Sequence, residues 1–189
     1  TRYPGRVIST AIDKFVYVTL NRHLLEKKVS ARYAISELVD HPKELKNERI
    51  REALLDAGIV NNIDVSFFSG IPTRAGLGSS SSFSVALTKA LQLLNGKKID
   101  REENAEYACR LEIDLVGDPI GKQDQYASAF GGFNIFQFNG DGTVTVEPIF
   151  LDFRVRSALE NHLLIYFTGI TRSAESVLSD QKSKIEENF

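Results

Sequence analysis

Between Gly70 and Leu94 the sequence reads Gly-Ile-Pro-Thr-Arg-Ala-Gly-Leu-Gly-Ser-Ser-Ser-Ser and then enters an apolar stripe of Phe83, Leu87, Ala90, Leu91 and Leu94. That i, i+4, i+7, i+8, i+11 spacing marks an amphipathic helix with one buried face. Ile63 to Phe68 just upstream is rich in β-branched and aromatic residues and reads as a strand. A glycine- and serine-rich loop is therefore delivered straight from a strand onto a helix N-terminus.

Such a junction suits an anion. Gly76 and Gly78 lack a β-carbon and let the backbone approach an oxyanion closely. The first helical turn leaves N–H groups unpaired, and the aligned peptide dipoles favour negative charge there. Serine hydroxyls add donors, and one of them can serve a magnesium ion that accompanies a nucleoside triphosphate. The lysine of the Walker pattern is absent. The alternative reading is a flexible loop that ends in an N-cap.

The remaining chain alternates strand and helix without a strict βαβ rhythm. Strands are expected over Val7 to Leu20, with Val16, Val18 and Leu20 on one face, and more weakly over 29–38. A helix is expected from Lys43 to Ala57, ended by Gly58. Asp100-Arg-Glu-Glu103 is a capping-box pattern opening a helix to about Val116, and a short helix spans about Lys122 to Phe130. Phe133–Phe138 and Thr143–Ile149, joined by Asn139-Gly-Asp-Gly142, read as a hairpin. His162 to Phe167 reads as a buried strand, followed by a helix from Thr171 that is still running at Phe189. The class is mixed α+β.

Two carboxylates could meet the loop. Ala105, Ala108, Leu111, Leu115 and Val116 define one face of the helix opened by Asp100, and Glu112 falls inside that face while Asp114 points away. A carboxylate on a buried stripe needs a cation or hydrogen-bond donors, so Glu112 either holds a metal ion or pairs with an arginine at the rim of the core. Asp124, in Gly121-Lys-Gln-Asp-Gln125, stands in the first turn of a short helix. It could accept the proton of an attacking hydroxyl, or it is a helix-start aspartate favoured by the dipole.

Other functions are disfavoured. With a formal net charge of −2 over 189 residues, no whole-chain basic footprint invites nucleic acid or an anionic membrane. No apolar run of about 18 residues is present, and Thr-Arg-Tyr-Pro-Gly does not open a signal peptide, so a cytoplasmic small-molecule partner is expected. Cys109 is the one cysteine and is read as a buried apolar residue. His23, His41 and His162 lack metal-ligand spacing. Lys14 and Lys122 could touch phosphate or simply face water.

Pro72-x-x-x-Gly76-Leu77-Gly78-Ser79-Ser80-Ser81, followed by Gly-x-Gln-Asp-Gln, resembles the superfamily of galactokinase, homoserine kinase, mevalonate kinase and phosphomevalonate kinase. Ile12-Asp13-Lys14, the four-serine loop, Gly-Lys-Gln-Asp-Gln-Tyr-Ala and Phe-Thr-Gly-Ile-Thr-Arg look most like the D-glycero-D-manno-heptose 7-phosphate kinases. The resemblance implies an ATP-dependent sugar kinase, its N-terminal domain over residues 1–155 and the start of a C-terminal domain over 156–189; the alternatives are another small-molecule kinase of the superfamily, acting on fucose, a uronic acid, galactose or mevalonate, or a non-catalytic nucleotide or sugar sensor on the same fold. It implies that Pro72, Arg74, Ala75, Gly76, Leu77, Gly78, Ser79, Ser80, Ser81 and Ser82 cradle ATP. Ser80 and Glu112 would ligate Mg²⁺, and Asp124 would act as base or orient the sugar hydroxyl. Arg172 could grip an anionic group of the sugar or sugar phosphate, or be a solvated helix-start residue. A homodimer is compatible with the family. The family's Gly-Gly-Gly-Thr-Asp motif and its late glycine-rich loop are expected beyond the two ends, so the 189 residues by themselves are expected to have little or no kinase activity.

Overall fold

The computed structural model describes residues 4–23, 25–70 and 76–166. Its strands are β1 (Gly5–Thr10), β2 (Val16–Arg22), β3 (Val29–Arg32), β4 (Ser36–Val39), β5 (Ile63–Ser69), β6 (Phe133–Phe138) and β7 (Val144–Pro148). Its α-helices are α1 (Glu48–Asp56), α2 (Ser79–Leu94), α3 (Arg101–Cys109), α4 (Gln123–Phe130) and α5 (Phe153–Asn161). The architecture is mixed α+β, as expected. The described residues fall into two compact units, residues 14–130 and residues 4–13 with 131–166.

The larger unit is built on a four-stranded sheet of order β2-β5-β3-β4. β2 and β5 run antiparallel with Val18 opposite Phe67, whereas β3 and β5 run parallel with Val29 opposite Ile63. A parallel pair cannot be closed by a tight turn, and here the chain returns through β4 and α1. The period-two pattern is kept: Val16, Val18 and Leu20 pack against the core, while Tyr17 and Phe68, paired across the strands, are exposed. Val29, Ala31, Ile63 and Val65 on the sheet meet Ile50, Leu54, Phe83, Leu87 and Leu91 of α1 and α2. Each such side chain contributes about 1.5–3 kcal/mol when fully buried. The Phe67 and Phe83 rings meet edge to face, with centroids 4.8 Å apart.

The helix expected from Lys43 begins later. Pro42–Glu44 form a single 3₁₀ turn, the Lys46 N–H donates to the Glu37 carboxylate of β4 at 2.8 Å, and Asn47 caps α1 by accepting from Ile50 N–H at 3.0 Å. Tying Lys46 to the sheet leaves its N–H unavailable for an intrahelical bond, so the helix starts after Asn47. The stripe of α2 is as expected, with Phe83, Leu87 and Leu91 buried. At Asp100 the capping box is complete: Asp100 accepts from Glu103 N–H at 2.8 Å, and Glu103 accepts from Asp100 N–H at 3.0 Å.

That helix does not continue as an α-helix to Val116. α3 stops at Cys109 and gives way to a π-helical segment over Arg110–Val116, ended by Gly117 at φ +85°, whose N–H reaches the Glu112 carbonyl. The wider turn changes which side chains share a face. Leu111 and Glu112 are buried side by side, and Leu115 and Val116 only pack at the core edge. Cys109 is buried, as expected, and burial pushes its thiol up to about 12.

The smaller unit is an antiparallel sheet of order β1-β6-β7, with Val7 opposite Phe136 and Phe136 opposite Val146. The expected hairpin is present, its turn closed by Asn139 N–H to Thr143 O at 2.9 Å. The sequence reading missed α5, which Asp152 caps by accepting from Arg154 N–H and Val155 N–H at 2.8 and 3.0 Å. The division expected at residue 155 falls inside this helix. The buried strand expected at His162 is not formed over 162–166, and Leu163, Leu164, Ile165 and Tyr166 are exposed. Phe167, the helix expected from Thr171, and Arg172 lie outside the described residues.

Candidate active site

The site is assembled where α2 begins. Of the expected phosphate loop, Pro72, Arg74 and Ala75 lie outside the described residues, and the rest enters the helix through two left-handed glycines, Gly76 at φ +73° and Gly78 at φ +66°. Gly78 is the N-cap and no side chain among the described residues caps the helix, so the N–H groups of its first turn and the positive end of its dipole are open to an anion. Leu77 and Ser80 are exposed, and Ser79 is half-buried.

The four serines have diverged in role. Ser82 bonds Ser128 of α4 at 2.9 Å. Ser81 donates to Glu112 at 2.9 Å, as does Ser84 one turn further on. Ser80 faces outward from the same turn, and the Glu112 carboxylate takes its hydroxyl partners from Ser81 and Ser84.

Asp124 lies in the first turn of α4, and α4 packs on α2. A β-carbon placed on Gly78 would sit 3.6 Å from both Cγ and Oδ2 of Asp124, so only glycine leaves the space between the helix start and that carboxyl open. Asp124 as a whole residue is exposed, yet its carboxyl is raised above the ordinary aspartate range, first by desolvation and then by the negative charge of Glu112. The two observations agree if one edge of the carboxyl faces solvent while the other lies against the α2 turn. A carboxylate so raised is a better proton acceptor than a free one.

Glu112 is wholly buried, at 0% exposure. Its Oε1 accepts from Arg49 Nε at 3.0 Å and from Ser84 Oγ; its Oε2 accepts from Ser81 Oγ and from Gln125 Nε2. Arg49 also pairs with Asp118, itself buried just after the π-helical segment. Of the two readings open from the sequence, a metal ion or an arginine, the cation beside Glu112 in this structure is an arginine. Arg49 was not singled out beforehand, since nothing among the chain's 23 lysines and arginines marks it at 63 residues from Glu112. Gln125 was visible only as the last residue of the Gln-Asp-Gln motif.

A carboxylate has about four lone-pair sites, and the four donors fill those of Glu112. Among the described residues no group of three or more His, Cys, Asp or Glu side chains is arranged to hold a metal. The uncapped α2 turn fits a phosphate; Glu112, as it stands, does not fit a metal ion. Of the other polar groups, Lys122 is paired with Glu106 at 2.9 Å, His23 with Asp64 at 2.8 Å, and His41 caps the 3₁₀ turn.

Residues 44–132, which hold α1, α2, the π-helical segment and α4, match the profile of the GHMP kinases N terminal domain. Over residues 44–132 the chain has the sequence pattern of a GHMP kinase N-terminal domain. Over 118 residues it is 36% identical to the D-glycero-alpha-D-manno-heptose 7-phosphate kinase of Campylobacter jejuni, covering 62% of this chain and 35% of that protein. It is 28% identical over 184 residues to the mevalonate kinase of Pyrococcus horikoshii, covering 97% of this chain and 47% of that enzyme. Among solved structures, a putative sugar kinase from Campylobacter jejuni superposes with a TM-score of 0.74 at 25% identity, covering 96% of this chain and 60% of that one. The chain thus spans between about a third and a half of the length of these curated relatives. This GHMP domain contains Gly78, Ser81, Glu112 and Asp124 together, and no helix among its described residues is long and apolar enough to cross a membrane.

Proposed function

We propose that the protein is an ATP-dependent small-molecule kinase that phosphorylates a sugar hydroxyl, and that its acceptor is the anomeric hydroxyl of a heptose 7-phosphate. The observation that carries the kinase reading is the Asp124 carboxyl lying against Gly78 at an uncapped helix start. It puts a proton acceptor beside the place where the helix would receive phosphate. In this reading the α2 N–H groups and the loop glycines bind the ATP phosphates. The acceptor hydroxyl loses its proton to Asp124, its oxygen forms a bond to the γ-phosphorus, and the bond from that phosphorus to the β-phosphate oxygen breaks, releasing ADP. Catalysis then rests on positioning and electrostatics. The exposed Ser80 hydroxyl is available to a magnesium ion carried by the nucleotide, whereas the Glu112 carboxylate is already occupied by its four donors.

The heptose assignment is supported by the similarity to the Campylobacter jejuni heptose 7-phosphate kinase. A mevalonate or galactose acceptor is the alternative, supported by 28% and 27% identity to archaeal mevalonate kinase and galactokinase over nearly the whole chain. The test is ADP release by the full-length protein with heptose 7-phosphate, galactose, fucose and mevalonate. Turnover with the heptose phosphate alone is expected. Turnover confined to an unphosphorylated acceptor rejects that substrate, and no turnover with any acceptor rejects the kinase reading.

A further inference from the structure

We propose that Glu112 is an internal brace with Arg49 as its built-in counter-ion, and that the pair positions Asp124 against the phosphate-binding turn instead of ligating a metal. The proposal deepens the kinase reading and rests on it only where turnover or nucleotide is measured.

The donors on Glu112 come from three helices: Arg49 from α1, Ser81 and Ser84 from α2, and Gln125 from α4. One buried carboxylate thus ties the first turn of α2 to the first turn of α4. Gln125 is the residue next to Asp124, so holding its carboxamide fixes the backbone that carries the Asp124 carboxyl. The orientation of that carboxamide is informative. Gln125 is fully buried and its Oε1 has no hydrogen-bond partner among the described residues, while its Nε2 donates to Glu112. A buried acceptor left unsatisfied is costly, so the bond to Glu112 is the one the site keeps.

A metal ion on Glu112 would have to displace one of these donors. Replacing Ser81 or Gln125 would cut the tie between α2 and α4. Replacing Arg49 would break its pairing with Asp118 as well, because the same guanidinium bridges both carboxylates. A planar fork that serves two carboxylates suits this place better than a small hydrated cation, which keeps several of its waters and demands near-octahedral oxygens. The π-helical segment supplies the last requirement. It brings Asp118, six residues on, back to Glu112, its N–H donating to the Glu112 carbonyl at 2.9 Å.

The test uses the full-length protein carrying Arg49→Met, Glu112→Gln, or both. In urea unfolding without nucleotide or metal, each single change is expected to lower the folding equilibrium constant about a hundredfold or more, because a buried charge or its donors are orphaned. The double variant should lose at least tenfold less than the product of the two. Multiplicative losses overturn the brace, whatever the protein's activity. If a single variant does not fold, Arg49→Lys replaces Arg49→Met in the cycle. Binding of Mn²⁺ to the ADP complex is then measured by electron paramagnetic resonance: Glu112→Gln should change its affinity by less than about threefold, and a loss of tenfold or more makes Glu112 a metal ligand and overturns the proposal. Finally, folded Arg49→Lys should lose kcat by tenfold or more with KM for ATP within threefold. A change in KM alone overturns the positioning role.

Discussion

Gly76 and Gly78 hold nearly the same left-handed conformation, φ +73° and φ +66°, but have different surroundings. An L-residue in that region costs about 1–2 kcal/mol. Gly76→Ala and Gly78→Ala should therefore destabilise the fold alike, by about 1–2 kcal/mol, which is about 5–30-fold in the folding equilibrium constant. Space does not separate them. Among the described residues a methyl on Gly76 meets nothing within 4 Å, and one on Gly78 meets Asp124 at 3.6 Å, an ordinary van der Waals contact. Function should separate them, since the Gly78 methyl fills the gap between the α2 start and the Asp124 carboxyl. Urea unfolding of both variants, with ATP turnover measured at a temperature where both are folded, decides the matter. Equal unfolding midpoints with turnover lost much more in Gly78→Ala are expected. A stability gap above about 1 kcal/mol would show that the contact at 3.6 Å is not benign, and equal turnover losses would show that the Asp124 face of Gly78 has no special part.

Two further outcomes follow from the charges. Because the folded state raises the Asp124 carboxyl above its unfolded value, it binds that proton more readily, and stability present below the ordinary aspartate range is lost as pH rises through the folded value. Asp124→Asn should abolish turnover yet unfold at a higher temperature than wild type at neutral pH, with the advantage vanishing in acid; a pH-independent difference in melting temperature would falsify the assignment of strain to this charge. Cys109, buried and with its thiol pushed up to about 12, should stay unreactive to a disulfide-exchange reagent at pH 8 until urea is added, and rapid stoichiometric labelling of the native protein would contradict its placement.

Features carried by neighbouring residues were readable from the chain. The α2 stripe, the capping box at Asp100 and the hairpin turn at Asn139 depend on side chains a few positions apart, and all three are formed. Even the inward placement of Glu112 was legible, since a carboxylate among Ala108, Leu111 and Leu115 has few ways to avoid the core. The late start of α1 and the switch to a π-helix at Arg110 were not. Both departures follow from contacts outside the segment: Lys46 with Glu37 of β4 in one case, and the ties of Glu112 and Asp118 to Arg49 in the other. The helix α5 was overlooked although its cap, Asp152, was in plain view.

By itself the sequence determined a glycine-serine loop entering a helix and two carboxylates able to serve it, because periodicity and capping act over a single turn. Only the tertiary structure decided which cation meets Glu112. A buried carboxylate must be neutralised, but sequence spacing says nothing about an arginine 63 residues away; packing of α1, α2 and α4 around one residue brings Arg49 to Glu112.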